Sequence, residues 1–270
     1  MIFERIALNV NSRDVYLDAY IADRKNFMRD AVLIFPGGAY RMVCDDREGE
    51  PIALAYLAKG INAFVLHYCV GEKYQYPSHL TEASAALLYL KEHASELGID
   101  KDRIFAVGFS AGGHLAGSLA ILHKEPKVLE ALGIQQGDNC PCGAVLSYPV
   151  VSAMCQTHTE SFSYLSGKAF DAMSDAEKTA LSLECNVDQN SAPLFIWHTA
   201  EDEAVPVVGS LRLAEKYYCE SRPFTLRVYP YGQHGLALAN EITAGENGEF
   251  LAPMACEWVD ASVEWMKTIK

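Results

Sequence analysis

Gly108-Phe109-Ser110-Ala111-Gly112 is the stretch on which the fold turns. It has the form G-x-S-x-G, in which a strand enters a helix through a turn so sharp that the serine stands exposed and glycines relieve the crowding on either side. The pattern alone is cheap: with 19 Gly and 17 Ser in 270 residues, chance supplies about 0.08 matches per chain. Its surroundings decide. The apolar run Ile104-Phe105-Ala106-Val107 leads into it as a short strand, and the small-residue stretch Ala111 to Leu122 follows as a helix.

The same alternation extends both ways along the chain. Upstream, Ala31 to Phe35 is an apolar strand ending at Pro36-Gly37-Gly38, Pro51 to Lys59 is a short helix closed by Gly60, and Ile61 to Leu66 is a second buried strand. Pro77 suits a first helical turn, after which Leu80, Ala83, Leu87, Leu88 and Leu90 recur at near-helical spacing until Gly98. Downstream come strand Ala144 to Tyr148, strand Leu194 to Thr199, helix Val207 to Tyr218, strand Thr225 to Tyr229 and helix Pro253 to Met266. Two alternating segments at the start, Ile2 to Leu8 and Val15 to Ile21, flank the turn formers Asn11-Ser12-Arg13-Asp14 and predict an antiparallel hairpin. The expectation is therefore an α/β fold: a mainly parallel central sheet with an N-terminal antiparallel hairpin, helices on both faces, and a ligand site at the carboxyl ends of the strands. One domain is expected over 1–270, with Val151 to Ser191, rich in Ser, Thr, Asp and Glu and weakly helical over Asp175 to Leu183, as a small insertion over the sheet's edge near the site.

Composition narrows the partners. A chain 50% hydrophobic and 21% charged buries a sizeable core and is neither disordered nor fibrous. With 22 Lys and Arg against 35 Asp and Glu the net charge is −13, and without a basic cluster a nucleic-acid partner is not expected. No window approaches 18 consecutive apolar residues, and Met1-Ile2-Phe3-Glu4-Arg5-Ile6 lacks a basic stretch followed by an apolar one, so neither a membrane span nor an export signal is expected. Eight cysteines are too sparse for a disulfide scaffold and point to reduced thiols and a cytoplasmic location. Cys140-Pro141-Cys142 has no second pair or histidine cluster to complete a zinc site, so no metal or organic cofactor is expected. The oligomeric state stays open, a homodimer included.

A serine hydroxyl is a weak nucleophile at neutral pH, so Ser110 needs a base, an acid that orients the base, and donors for a developing oxyanion. For the donors, Phe35-Pro36-Gly37-Gly38-Ala39-Tyr40 follows a buried strand; Pro36 has no N–H, which leaves the amides of Gly38 and Ala39, joined by that of Ala111 just past the serine. For the base, His234 in Gly232-Gln233-His234-Gly235 lies on a loop after the last strand. His114 and His123 lie on the helix after the elbow, His93 on a helix surface, and His67 and His198 inside apolar strands; His79 and His158 are the remaining rivals. For the acid, Glu201-Asp202-Glu203 follows the strand Leu194 to Thr199, and composition does not choose among the three.

These stretches, together with Leu146-Ser147-Tyr148-Pro149-Val150, Trp197-His198-Thr199-Ala200-Glu201-Asp202-Glu203-Ala204-Val205-Pro206 and His234-Gly235-Leu236-Ala237-Leu238, resemble the α/β-hydrolase superfamily, and within it the acetyl-xylan-esterase-like carbohydrate esterases. The order serine, acid, histidine is that of the superfamily. The resemblance implies that Asp202, three residues before Val205-Pro206, is the acid, and that the reaction is hydrolysis of short acyl esters, acetyl groups on sugar hydroxyls foremost, with a small-molecule or oligosaccharide ester as substrate. One departure is that Pro36 stands where relatives often have histidine. Tyrosines near the expected mouth, Tyr40 and Tyr148 first and Tyr68, Tyr74 and Tyr76 beside them, are expected to stack on a sugar ring or line a small acyl pocket. The alternatives are a peptidase or amidase on the same fold, and a binding protein without activity.

Overall fold

In the computed structural model, which describes residues 1–10, 15–23 and 27–269, the two alternating segments pair as expected. β1 (Ile2–Leu8) and β2 (Val15–Ile21) run antiparallel with Ile6 opposite Leu17. The turn formers Asn11 to Asp14 lie outside the described residues. The remaining strands are β3 (Arg29–Phe35), β4 (Asn62–His67), β5 (Ile99–Phe109), β6 (Gly143–Ser147), β7 (Leu194–Thr199) and β8 (Phe224–Tyr229). They form one sheet in the order β1-β2-β4-β3-β5-β6-β7-β8. β2 joins β4 antiparallel, and every later neighbouring pair is parallel.

The inner parallel strands read as unbroken apolar runs because both faces are covered. Successive side chains alternate between two cores: Leu33 and Phe35 join one, Val32 and Ile34 the other. The connections are helical. α1 (Asp45–Glu48) and α2 (Glu50–Ala58) link β3 to β4, α3 (Ser78–Glu92) and α4 (Ala94–Leu97) link β4 to β5, and α5 (Ser110–Ile121) and α6 (Pro126–Leu132) link β5 to β6. α7 (Thr159–Ser166) and α8 (Asp175–Leu181) precede β7, α9 (Val208–Cys219) precedes β8, and α10 (Trp258–Met266) follows it. Leu80, Leu87 and Leu90 of α3 and Leu115 and Leu119 of α5 fill the first core; Ile52 and Tyr56 of α2 and Trp258 of α10 fill the second.

Three departures from the sequence reading have physical causes. β5 begins at Ile99 rather than Ile104, its polar start tied down where Arg103 forks onto Asp30 and Arg29 pairs with Ile99. α10 starts at Trp258 rather than Pro253, because residues 253–257 close as single turns, among them Ala255 N–H onto Ala252 O. The segment 151–191 does not cover a sheet edge, which is held by β1 and β8. It packs on α5 at the middle of the sheet, where His114 donates from Nε2 to Leu181 O at 2.8 Å and the Leu183 side chain fills the space beside Gly117.

β5 passes into α5 with no loop between them. Phe109 is still extended at φ −122°, and Ser110 turns to φ +53°, a conformation that side chains other than glycine rarely hold. Two glycines make it feasible: a Cβ on Gly108 would sit 2.1 Å from Gly112 O, and one on Gly112 would sit 2.0 Å from Phe35 O. Backbone atoms cannot swing aside as side chains do. Gly112→Ala is therefore expected to lower unfolding free energy by about 3 kcal/mol or more in urea titration; an unchanged midpoint would contradict this packing.

Candidate active site

The turn after β5 lifts Ser110 to the carboxyl end of the sheet, and the loops after β7 and β8 bring an acid and a histidine to it. His234 Nε2 lies 2.8 Å from Ser110 Oγ, and its Nδ1 lies 2.6 Å from Asp202 Oδ2. A carboxylate accepts only, so Nδ1 carries the proton and Nε2 accepts from the serine hydroxyl. Asp202 is buried, and its Oδ1 receives the amides of Ala204 at 3.1 Å and Val205 at 2.8 Å. Its Oδ2 also faces His198 Nε2 at 3.3 Å; that nitrogen, lying 2.8 Å from Val205 O as well, meets two acceptors and carries a proton. Burial works to raise the Asp202 carboxyl, but the hydrogen bonds from His198 and His234, the charge of His234 and the Val205 amide outweigh it and hold the group well below the usual carboxylate range. Of the neighbouring acids, Glu203 is exposed, and Glu201 is exposed and accepts from Gly232 N–H.

The loop after β3 completes the floor. Gly37 O accepts from Cys44 N–H, and Gly38 O accepts from the amides of Arg41 and Met42. In a trans peptide the N–H points opposite to the preceding carbonyl, so the amides of Gly38 and Ala39 are turned away from this tight turn. Both residues line a cavity of about 310 Å³ together with Ser110 and His234. The Ala111 amide sits in the first turn of α5, where no intrahelical acceptor exists. Arg41, Arg47, Glu48, His158, Glu160 and Phe250 form much of the remaining wall. Arg41 pairs with Glu160 at 3.2 Å, joining the loop after β3 to α7. Arg47 lies over the Phe250 ring at 4.0 Å and donates to Gly235 O at 2.9 Å, holding the backbone next to His234.

Tyr40 and Tyr148 are not where the sequence suggested. Each is 1% exposed, and neither lines the cavity. The Tyr40 phenol meets His114 Nδ1 at 2.8 Å, and the Tyr148 phenol donates to Glu48 Oε1 at 2.7 Å while accepting from Ala237 N–H at 2.9 Å. Both rings pack inward because a buried phenol needs a partner and each has one there. Tyr68 is likewise buried, donating to Pro36 O at 2.6 Å, and Tyr76 donates to Glu125 at 3.0 Å.

Glu48 is the residue that sequence reasoning missed. It closes α1 at 3% exposure, with Oε2 accepting from Gly37 N–H at 2.7 Å and Oε1 from Tyr148. Burial pushes its carboxyl up, opposed by the bonds from Tyr148 and Gly37 and by the nearby His234 and Arg47. Its only sequence signal was a place in Asp45-Asp46-Arg47-Glu48, ten residues past the glycine pair. Among the described residues no three His, Cys, Asp or Glu gather as metal ligands, and no helix is long and apolar enough to cross a membrane.

Comparison with known proteins places the chain among relatives. The BD-FAE family model matches residues 17–217. Over 221 residues the chain is 38% identical to endo-1,4-beta-xylanase B of Butyrivibrio fibrisolvens, an alignment covering 79% of this chain and 33% of that protein; the chain thus spans about a third of that relative's length. The acetyl ester-xyloside bifunctional hydrolase from Caldicellulosiruptor lactoaceticus superposes with a TM-score of 0.84 at 30% identity, over 98% of this chain and 96% of that one. MGS-M1, an α/β hydrolase enzyme from a Medee basin deep-sea metagenome library, superposes with a TM-score of 0.80 at 34% identity, over 100% and 98%.

Proposed function

The chain belongs to the BD-FAE family of α/β-hydrolases, and on that premise we propose that it is a serine esterase removing short acyl groups, acetyl first, from carbohydrate hydroxyls. One observation carries the reading: Oγ, imidazole and carboxylate stand in hydrogen-bonded sequence, at 2.8 and 2.6 Å, on the wall of an open cavity. Likeness to the acetyl ester-xyloside hydrolase supports ester hydrolysis, and likeness to it and to the xylanase supports a carbohydrate substrate.

Ser110 Oγ attacks the ester carbonyl carbon as its proton passes to His234 Nε2, and the carbonyl oxygen takes the negative charge. The amides of Gly38, Ala39 and Ala111 receive that oxyanion; removal of one such donor typically raises the barrier by about 3 kcal/mol. The tetrahedral centre collapses by breaking the bond to the leaving oxygen, which takes the proton from Nε2 and departs as the free alcohol. Water then attacks the acyl-serine with His234 as base, releasing the carboxylic acid and restoring Ser110. Asp202 keeps the ring in the required tautomer and stabilises its charged form through both half-reactions.

The wall chemistry bears on the acyl group. Arg41, Arg47, His158 and Glu160 offer hydrogen bonds suited to a hydroxyl-rich partner. A long alkyl chain laid against them gains little of the roughly 0.8 kcal/mol that burial of each methylene yields elsewhere. Acetyl esters are expected to exceed octanoyl esters in kcat/KM by at least about tenfold, measured on p-nitrophenyl esters and on acetylated xylo-oligosaccharides. Equal rates across chain length would remove the short-acyl part, and preference for an aminoacyl anilide would make the protein an amidase.

A further inference from the structure

We propose that Glu48 is a positioning residue for this acyl transfer: its carboxylate sets the two glycine-loop amides toward the substrate carbonyl and steadies the imidazolium that His234 becomes as Ser110 attacks. The inference deepens the esterase reading and rests on it.

The geometry is specific to a carboxylate. Tyr148 accepts from Ala237 N–H, so its own proton is directed at Glu48 Oε1, and Gly37 N–H is directed at Oε2. Each oxygen therefore faces a donor, the arrangement that a charged acceptor satisfies. The Gly37 bond fixes one end of the turn whose other end is held by Cys44 N–H on Gly37 O, and the Gly38 and Ala39 amides project between these anchors. A carboxylate without such a task would be costly at this depth: burial disfavours its charged form, yet no lysine or arginine bonds to it among the described residues.

The link to the base is equally direct. The Tyr148 ring stands edge-on to the His234 ring, centroids 5.1 Å apart, and its phenol reaches back to Glu48. A negative charge behind the imidazole favours the imidazolium, and a buried charge such as that of Glu48 acts with less screening than one at the surface. The titratable and charged groups facing Glu48, His234 and the cavity they share are Asp202, His158, Glu160, Arg41, Arg47, Cys44, Tyr68 and Tyr148. Glu160 is exposed and paired with Arg41, so apart from Asp202 the buried carboxylate among them is Glu48.

Glu48→Gln separates charge from shape. Its amide oxygen can still accept from Gly37, so the loop stays tied while the charge is gone, and its NH2 can donate to the Tyr148 oxygen at the cost of the acceptor for the phenol proton. The expected result is a kcat lowered about tenfold with KM within about twofold, and the acid limb of kcat/KM moved to lower pH by about half a unit. Thermal stability should change little at neutral pH: a carboxyl whose folded value is raised contributes most to stability at low pH and loses that contribution as pH climbs, so removing it there is a gain that offsets the stranded phenol proton. Glu48→Ala strands both donors and is expected to lower kcat about 100-fold. Should the Glu48 variants not fold, Tyr148→Phe withdraws one donor from the carboxylate at nearly constant volume and is expected to move the acid limb the same way. Wild-type kcat with an unmoved limb in Glu48→Gln overturns the inference, as does a loss of activity that tracks the fall in Tm with no change in the pH profile. Failure of a fluorophosphonate to label the wild-type protein instead defeats the esterase reading itself, and the two failures are thereby told apart.

Discussion

Ser110→Ala is expected to lower kcat on acetyl esters by about 10⁴- to 10⁶-fold and to abolish labelling by a fluorophosphonate, with little change in Tm. The magnitude follows from what is removed. Without Oγ no acyl-enzyme forms, and water must attack the ester directly in a site shaped for another nucleophile. The His234–Asp202 bond and the cavity remain, and groups that act as a unit are close to useless singly. Stability should scarcely move, because Ser110 is half-buried, alanine shares its Cβ, and the φ of +53° is imposed by β5 and α5 rather than by the hydroxyl. Retention of even a tenth of wild-type turnover would show that chemistry in this cavity proceeds without the serine.

The second large effect is expected at Asp202. In Asp202→Asn, turnover should fall by about 10⁴-fold, and the cause is a tautomer. Every partner of this carboxylate is a donor: two amides on Oδ1, and His198 and His234 on Oδ2. An asparagine keeps its oxygen for the pair of amides and turns its NH2 toward the histidines. His234 Nδ1 then accepts instead of donating, Nε2 gains the hydrogen, and the serine proton has nowhere to go. Stability falls as well. The folded carboxyl lies below its ordinary value of 3.8, so its contribution is fully present above that pH and fades as pH drops through the folded value. Unfolding curves of wild type and variant should therefore stand apart at pH 7 and converge in acid. A variant with native turnover would mean that some other group orients the ring.

Much of the fold was legible because its signals are local. Ala31 to Phe35 and Leu194 to Thr199 are apolar runs that only a strand covered on both faces explains, and they appear as β3 and β7. The serine turn was legible because glycine at 108 and 112 answers to steric demands that a short stretch displays by itself. What escaped depends on distant partners. Glu48 sits in a charge run that reads as a solvated face, and its burial is set by Tyr148, 100 residues further on. His198 read as strand packing, and only the turn after β7 carries Asp202 back to it. Tyr40 and Tyr148 have side chains long enough to face either way at a strand end, and the choice was made by His114 and Glu48.

His114 takes a proton-mediated contact from Tyr40, next to Ala39, and gives one to Leu181, at the end of α8, while riding on the helix that begins with Ser110. One imidazole thus rivets three parts whose mutual spacing the reaction depends on. Outward of that rivet, α7 presents Glu160 to the entrance on an exposed surface. Substitutions at Glu160 can therefore reshape the entrance while Ser110, His234 and Asp202 keep their registry.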